Sequence, residues 1–566
     1  MTASILKSRL ADLVRPDGVG PVWCDEHEIL QRIFVTVRDQ NWREIAPTDS
    51  KREIDEQAGV ATLTVRHESD SVEFEWKGTL RVSDDRHRLH FEFTGRALRD
   101  MQVCRVGLVV LHPVESMVGA RAIAVGHQSG HEFSPTEHIA PQPVVNGVPL
   151  AITEPFLKLV IERANFGQLE LTFKGDLFEL EDQRNWGDMS FKTYCTPLRL
   201  GFPRELKAGT VIQHSVEARF TPSRGRLTST SARYQSGVFP QLGLEWSRSS
   251  WNARASDPVA PNWSHLYFDA GRFENLAELR EVLATENTPP LHIGFEVQND
   301  VPAEAIALFV AYRKRIAHLF LYGPGTLLPP AIAFSRWRLG LEKAAEDWDI
   351  PLSAGTRGYF VELNRGTTFD LPVSGISFPL TATVHSDDAE TICGNVAAIQ
   401  DIARTSLRLT GADQVSITPL ALYYPPSRMT QPFPATLVTP WLAATLIHAA
   451  LGGVDTVILA SDILASLATT DSEGIRVITR LAEFKDREIV GFGELPPSLH
   501  AMKFASAAAS EPQVMVANLN SSAVEISLGW FGKGLRTATD AATDRSLTLN
   551  GSGVVIPGHG VILLGY

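Results

Sequence analysis

Leu291-His292-Ile293-Gly294-Phe295-Glu296-Val297 alternates at period two, with Ile293 and Phe295 on one face, Gly294 and Glu296 on the other, and a carboxylate near its end. Period-two alternation marks a β-strand. In a parallel barrel the apolar face meets the surrounding helices and the alternate positions point inward, so Gly294 and Glu296 are expected inside. Two earlier stretches repeat the pattern: 241–246 sets Leu242 and Leu244 outward against Gly243 and Glu245, and 265–269 sets Leu266 and Phe268 against Tyr267 and Asp269. Further strands are expected at 317–322, 351–356, 375–378, 415–420 and 455–460, which makes eight. Helical patterns separate them at 273–284, 303–315, 334–347, 389–407 and 441–451, the last running into Gly452-Gly453 as a C-cap. Eight strands alternating with helices predict a (β/α)8 barrel of TIM type. The stretch 358–374 carries little helical pattern and is expected to be a long loop after the fifth strand.

On either side of this region the texture changes. Between about residues 32 and 220 short alternating runs such as 33–37, 62–65, 72–76, 89–93 and 106–111 follow one another without a long amphipathic helix, the pattern of a β-sandwich. Alternation returns after residue 491 at 500–504, 514–519, 524–528 and 554–564, the pattern of a small β-domain. The expected fold class is therefore α/β multidomain: an N-terminal β-sandwich over 1–225, a central barrel over 226–492 and a C-terminal β-domain over 493–566.

Composition narrows the function classes. The 566 residues carry a formal net charge of -13 and no stripe of Lys and Arg, which argues against a nucleic-acid partner. Lys7, Arg9, Asp12 and Arg15 interrupt what a signal peptide would need as its apolar segment, and no membrane span is expected. The four cysteines Cys24, Cys104, Cys195 and Cys393 show neither pairing nor metal-ligand spacing, as in a reducing compartment, so a cytoplasmic location is expected. Nothing in the sequence speaks to oligomeric state.

Barrel chemistry sits at the carboxyl ends of the strands, where Glu245, Asp269 and Glu296 fall. The competing reading neutralises each acid with an Arg or Lys. After the fifth strand, Gly358-Tyr359-Phe360-Val361-Glu362-Leu363-Asn364-Arg365 offers a carboxylate, an amide and a guanidinium together. After the sixth, His385 is a candidate base with Asp387 or Asp388 to orient it, although both acids also suit the first turn of a helix. The acids Glu245, Asp269, Glu296 and Asp387 can also hold a hard divalent cation through oxygen, although no cofactor is required by the pattern. The grouping of His127, His131, Glu132 and His138 lacks a helix to align it and is a weak zinc pattern.

The densest polar run lies outside the barrel, from Phe178 to Tyr194. It mixes aromatic, amide and charged side chains, as a sugar-type ligand requires, and is expected to close over the barrel mouth. Within it, Glu181 to Tyr194 reads E-D-Q-R-N-W-G-D-M-S-F-K-T-Y. This run resembles the D-apionate lactonase family, whose pattern is E-D-Q-R-N-W-T-D-A-S-F-K-T-Y, and G-L-V-V-L-H-P at 107–113, I-A-P-Q-P at 139–143 and F-V-E-L-N-R at 360–365 extend the resemblance. The chain departs after the sixth strand, where Thr381-Ala382-Thr383-Val384-His385-Ser386 stands against an expected N-P-Q-V-H-A.

The resemblance implies an N-terminal β-domain, a TIM-type barrel, a small C-terminal β-domain and hydrolysis of a sugar-acid lactone formed from oxidised D-apiose. Lactone hydrolysis needs a base for water and donors for the developing oxyanion. The candidate catalytic residues are Glu362, His385, Glu245 and Glu296. Asp182, Arg184, Asn185, Trp186, Lys192, Tyr194, Asp269, Asn364, Arg365 and Asp387 are the candidate substrate-binding residues, and a small sugar lactone is the expected partner. The runner-up is a TIM-barrel glycoside hydrolase, but its usual retaining form needs acids at the ends of strands four and seven, where Leu321-Tyr322-Gly323 and Leu422-Tyr423-Tyr424 stand. A carbohydrate-binding protein without catalysis is the third reading.

Overall fold

A computed structural model describes residues 9–24, 27–126, 130–163, 167–223, 235–246, 265–271, 276–285, 289–299, 301–365, 373–385, 388–423, 433–468, 473–493, 495–496, 498–505 and 513–566. The chain divides into two compact units, Met1–Arg184 with Met189–Ser229, and Asn185–Asp188 with Thr230–Tyr566.

The first unit consists mainly of antiparallel sheet. One sheet has seven strands and another nine. Strands such as Val60–Glu68 and Glu73–Val82 bury alternate residues, as period-two patterning demands. Side chains from both sheets, among them Val35, Leu108 and Phe191 from one and Phe74, Phe91 and Leu171 from the other, share a single apolar core. Glu179–Asp182 and Ser190–Tyr194 pair antiparallel within this unit's sheet.

The second unit contains a closed barrel of eight parallel strands: β1 (Gln241–Glu245), β2 (His265–Asp269), β3 (Leu291–Glu296), β4 (Ile316–Tyr322), β5 (Leu352–Gly355), β6 (Gly375–Thr381), β7 (Gln414–Ala421) and β8 (Thr456–Leu459). Pairing of Gln241 with Thr456 and Leu242 with Val457 closes it. Leu242, Leu266, Ile293 and Phe295 are buried on the outward face, while Tyr267, Phe320, Tyr322 and Ile458 pack together inside. Gly294 is required here, because a Cβ at that position would lie 2.4 Å from the Tyr267 hydroxyl and 2.7 Å from the Tyr322 ring.

Several helices differ from the periodicity. The 389–407 pattern is two helices, Ala389–Gly394 and Ala398–Thr410, and the loop after β5 opens with a short helix, Phe360–Asn364. The helix Ala435–Gly452 begins before the expected 441 and ends at Gly453, whose φ of 81° is the left-handed C-cap. It is long and apolar enough to span a bilayer by composition, which the sequence reading overlooked, but 78% of it is buried in the protein, as in a core helix.

The C-terminal strands form a six-stranded sheet that also takes in Ser236–Val238, from just before the barrel, and Glu488–Gly491. The barrel and the C-terminal sheets lie in the same compact unit, Thr230–Tyr566 with Asn185–Asp188.

Candidate active site

The carboxyl ends of β1, β2 and β3 do carry inward acids, but two of the three are held by one cation. Arg357, just beyond β5, donates from Nε and Nη2 to Asp269 at 2.8 and 2.7 Å, and from Nη1 to Glu296 at 3.3 Å. Its guanidinium lies 4.7 Å from the centre of the Tyr322 ring. The expectation of Asp269 and Glu296 as acids open to a ligand or a divalent cation is corrected accordingly: the place a cation would take between them is filled by Arg357.

Glu245 differs. One oxygen accepts from the Ser461 N–H at 3.2 Å, and no Lys or Arg pairs with it among the described residues. Burial raises its pKa, and the charges of Asp462 and Asp269 raise it further. Asp462, held by the Leu422 and Tyr423 N–H groups at 3.0 Å each, is raised by the same burial. Further down the barrel, the hydroxyls of Tyr267 and Tyr322 lie 3.1 Å apart. Below them the rings of His265 and His292 are 4.2 Å apart, those of His292 and His318 5.6 Å, and His318 Nε2 lies 2.6 Å from Ser353 Oγ.

A second constellation forms on the loops after β5 and β6 together with Asn185–Asp188, four residues that belong to the barrel's compact unit although their sequence neighbours do not. His385 Nδ1 bonds the Asp188 carboxylate, whose other oxygen accepts from Asn395 Nδ2 at 2.8 Å. Asn364 Nδ2 donates to Asn185 Oδ1 at 2.7 Å. The Trp186 ring centre is 5.7 Å from that of His385 and 5.9 Å from that of Tyr359, with the Arg365 guanidinium 5.4 Å away. Arg365 in turn donates to Glu362 at 2.8 Å.

Two expectations change here. The carboxylate that orients His385 is Asp188, not Asp388, which caps the helix Ala389–Gly394 by accepting from Thr391 N–H at 2.9 Å. Asp387 lies outside the described residues. Glu362, a candidate base, is ion-paired to Arg365, three residues along the chain.

The rest of the 178–194 run is not an open flap. Arg184 is 0% exposed, doubly bonded to Asp182 at 2.9 and 2.7 Å and donating to the Thr136 and Glu137 carbonyls. Lys192 pairs with Glu181 at 2.9 Å, and burial pulls its pKa down to about 8. Tyr194 donates to Glu179 at 3.2 Å beneath the Arg105 guanidinium. These four candidate binding residues are all partnered inside the first unit, Asp182 with Arg184, Lys192 with Glu181 and Tyr194 with Glu179.

The thiols offer no nucleophile. Cys24, Cys104 and Cys195 are buried, and burial raises the pKa of Cys104, Cys195 and Cys393. Asp176, Cys195 and His214 do gather in the first unit. Cys195 Sγ is 3.4 Å from His214 Nδ1, and Asp176 lies 4.0 Å from Nε2 of the same ring. Of the weak zinc pattern, His127 lies outside the described residues and Glu132 is bound to Arg121.

Fold and site together define a (β/α)8-barrel protein with a carboxylate-oriented histidine on the loops at the carboxyl ends of its strands. Residues 7–223 match the N-terminal domain of D-apionate lactonase, and residues 317–426 match its TIM barrel domain. The chain belongs to the D-apionate lactonase family. A curated relative, the D-apionate lactonase of Brucella anthropi, is 28% identical over 259 residues, which span 42% of this chain and 40% of that protein. Among solved structures, a β-arabinopyranosidase aligns over 98% of this chain and 97% of its own at 11% identity and a TM-score of 0.28. A GH27 β-L-arabinopyranosidase from Geobacillus stearothermophilus aligns over 58% and 95%, with 11% identity and a TM-score of 0.35. At those scores neither likeness bears on function.

Proposed function

We propose that this protein hydrolyses the lactone of a sugar acid, D-apionolactone giving D-apionate, as part of D-apiose catabolism. One observation carries the reading: three separate stretches, 185–188, 359–365 and 385, meet in side-chain contact around His385. Two of these are the stretches in which the family resemblance is concentrated.

Asp188 accepts from Nδ1–H, so Nε2 is the nitrogen of His385 that takes a proton from water as its oxygen attacks the lactone carbonyl. The Asp188 charge then stabilises the imidazolium. Collapse of the tetrahedral intermediate breaks the ring C–O bond, the departing alkoxide takes its proton from Glu245, and the proton held on His385 passes to solvent water. Trp186 offers a flat apolar face and Arg365 a guanidinium for a polyol or a developing negative charge. Glu245, kept protonated more readily by burial, suits the proton donor. The scheme draws on no cofactor, and four thiols outside any disulfide suit the cytoplasm.

The glycoside-hydrolase alternative needs two carboxylates free at the reacting bond. Arg357 holds Asp269 and Glu296, which favours the lactonase. The test is acid release in a pH-stat on D-apionolactone and other aldonolactones, with aryl glycosides in parallel. Lactone-dependent acid release that disappears in His385→Asn is expected. Glycoside cleavage with no lactone turnover would replace the proposal with the alternative.

A further inference from the structure

We propose that Asn395 is a positioning residue for hydrolysis, fixing the Asp188 carboxylate so that it holds the His385 imidazole in one tautomer and one orientation; this rests on His385 being the base. Asn395 closes the helix Ala389–Gly394, its own N–H bonded to the Thr391 and Ile392 carbonyls, so its backbone is set by that helix. Its side chain is buried, and its Nδ2 donates to Asp188 Oδ1 at 2.8 Å. The other oxygen of Asp188 faces His385 Nδ1. A carboxylate anchored through both oxygens cannot turn about its Cβ–Cγ bond.

Such an anchor is needed because Asp188 sits on irregular backbone, one residue after Gly187 with its φ of 91°. The segment is pinned twice by amides, at Asn185 by Asn364 from the loop after β5 and at Asp188 by Asn395 from beyond β6. The chemistry of the anchor matters as well as its place. A Lys or Arg at position 395 would form an ion pair with Asp188 and draw off the charge that favours the imidazolium, whereas an amide N–H orients the carboxylate without neutralising it.

The test uses full-length protein and D-apionolactone. Asn395→Leu keeps the volume and removes the donor; the expected result is a kcat about tenfold lower with KM within about twofold. The low-field proton resonance of the His385 Nδ1–H, identified by its loss in Asp188→Asn, is expected to shift and broaden. Asn395→Ser, which withdraws the donor from reach, is expected to give the same split and decides the matter should the leucine variant not fold. A folded variant with unchanged kcat and an unmoved resonance overturns the positioning role. Full turnover in His385→Asn instead overturns the assignment of the base.

Discussion

His385 and Asp188 stand 197 positions apart in the chain, yet the imidazole Nδ1 and the carboxylate share a hydrogen bond. The pair does two separate jobs in a base: the carboxylate keeps the proton on Nδ1, which makes Nε2 the basic nitrogen, and it stabilises the cation formed when Nε2 accepts a proton. Both jobs are lost when the acceptor becomes a donor.

Asp188→Asn is therefore expected to lower kcat by roughly 10² to 10⁴, because the amide can present N–H to Nδ1 and select the wrong tautomer. Steady-state rates on the lactone, with circular dichroism to confirm the fold, check this. A loss under threefold would remove Asp188 from the mechanism.

This relationship also shows where the sequence stopped being informative. The barrel was legible because the outward faces of its strands are continuous apolar rows and the inward faces break them with Gly243, Tyr267, Gly294 and Glu296, a local pattern of period two. Partnerships across the barrel have no such period. Asp388 is three residues from His385 and Asp188 far away, yet the nearer acid is taken by its own helix N-terminus. Neutralisation of the acids of β2 and β3 was open from sequence as a competing reading, but their cation had no local signal, since it arrives from beyond β5. The 178–194 run was expected to close over the barrel mouth from its mix of aromatic, amide and charged side chains, but its charges of opposite sign, Asp182 with Arg184 and Glu181 with Lys192, neutralise one another in the interior of the first unit. Asn395 gave no signal at all.

Arg357 is expected to matter more for stability than its place in a polar mouth suggests. Glu296 has a side chain only 6% exposed, so removing its cation leaves a poorly solvated charge, while Asp269, 34% exposed, can recover water. Arg357→Met is predicted to cost about 2–4 kcal/mol, with most of that recovered in the triple variant Arg357→Met, Asp269→Asn, Glu296→Gln. Urea unfolding midpoints at constant slope measure both. Equal midpoints for wild type and single variant would mean that the cluster is hydrated and energetically idle.

Acid should unfold this protein through its histidines before its carboxylates. Burial holds His265 down to about 4, His318 to about 3 and His500 to about 4, and pushes His292 and His448 well below the ordinary value. In each case the folded pKa is depressed below the unfolded one near 6.5, so the stabilisation is fully present above about pH 6.5 and drains away as pH falls toward 3–4. Each such group contributes a slope of up to about 1.4 kcal/mol per pH unit in that window. Melting temperatures are predicted to fall steeply between pH 7 and 5, and less steeply in His318→Asn. A flat profile over that range contradicts the buried neutral imidazoles.

Glu245 has the opposite sign. Its folded pKa is raised by burial beside Asp462 and Asp269, so the carboxyl favours the fold when protonated and opposes it as pH rises through the folded value. Glu245→Gln removes that opposition while keeping an acceptor for the Ser461 N–H. The variant is predicted to melt a few degrees higher than wild type at pH 7.5 and to lose the advantage near pH 4, where the wild-type carboxyl is itself neutral. With Glu245 as the proposed proton donor, the same change is also expected to lower kcat by roughly 10². The two readouts separate the roles. A stabilised variant with full activity would leave Glu245 as an unfavourable charge without a catalytic role, whereas a variant less stable at pH 7.5 would mean that the Glu245 charge is compensated and that the barrel mouth around β1 holds a positive partner.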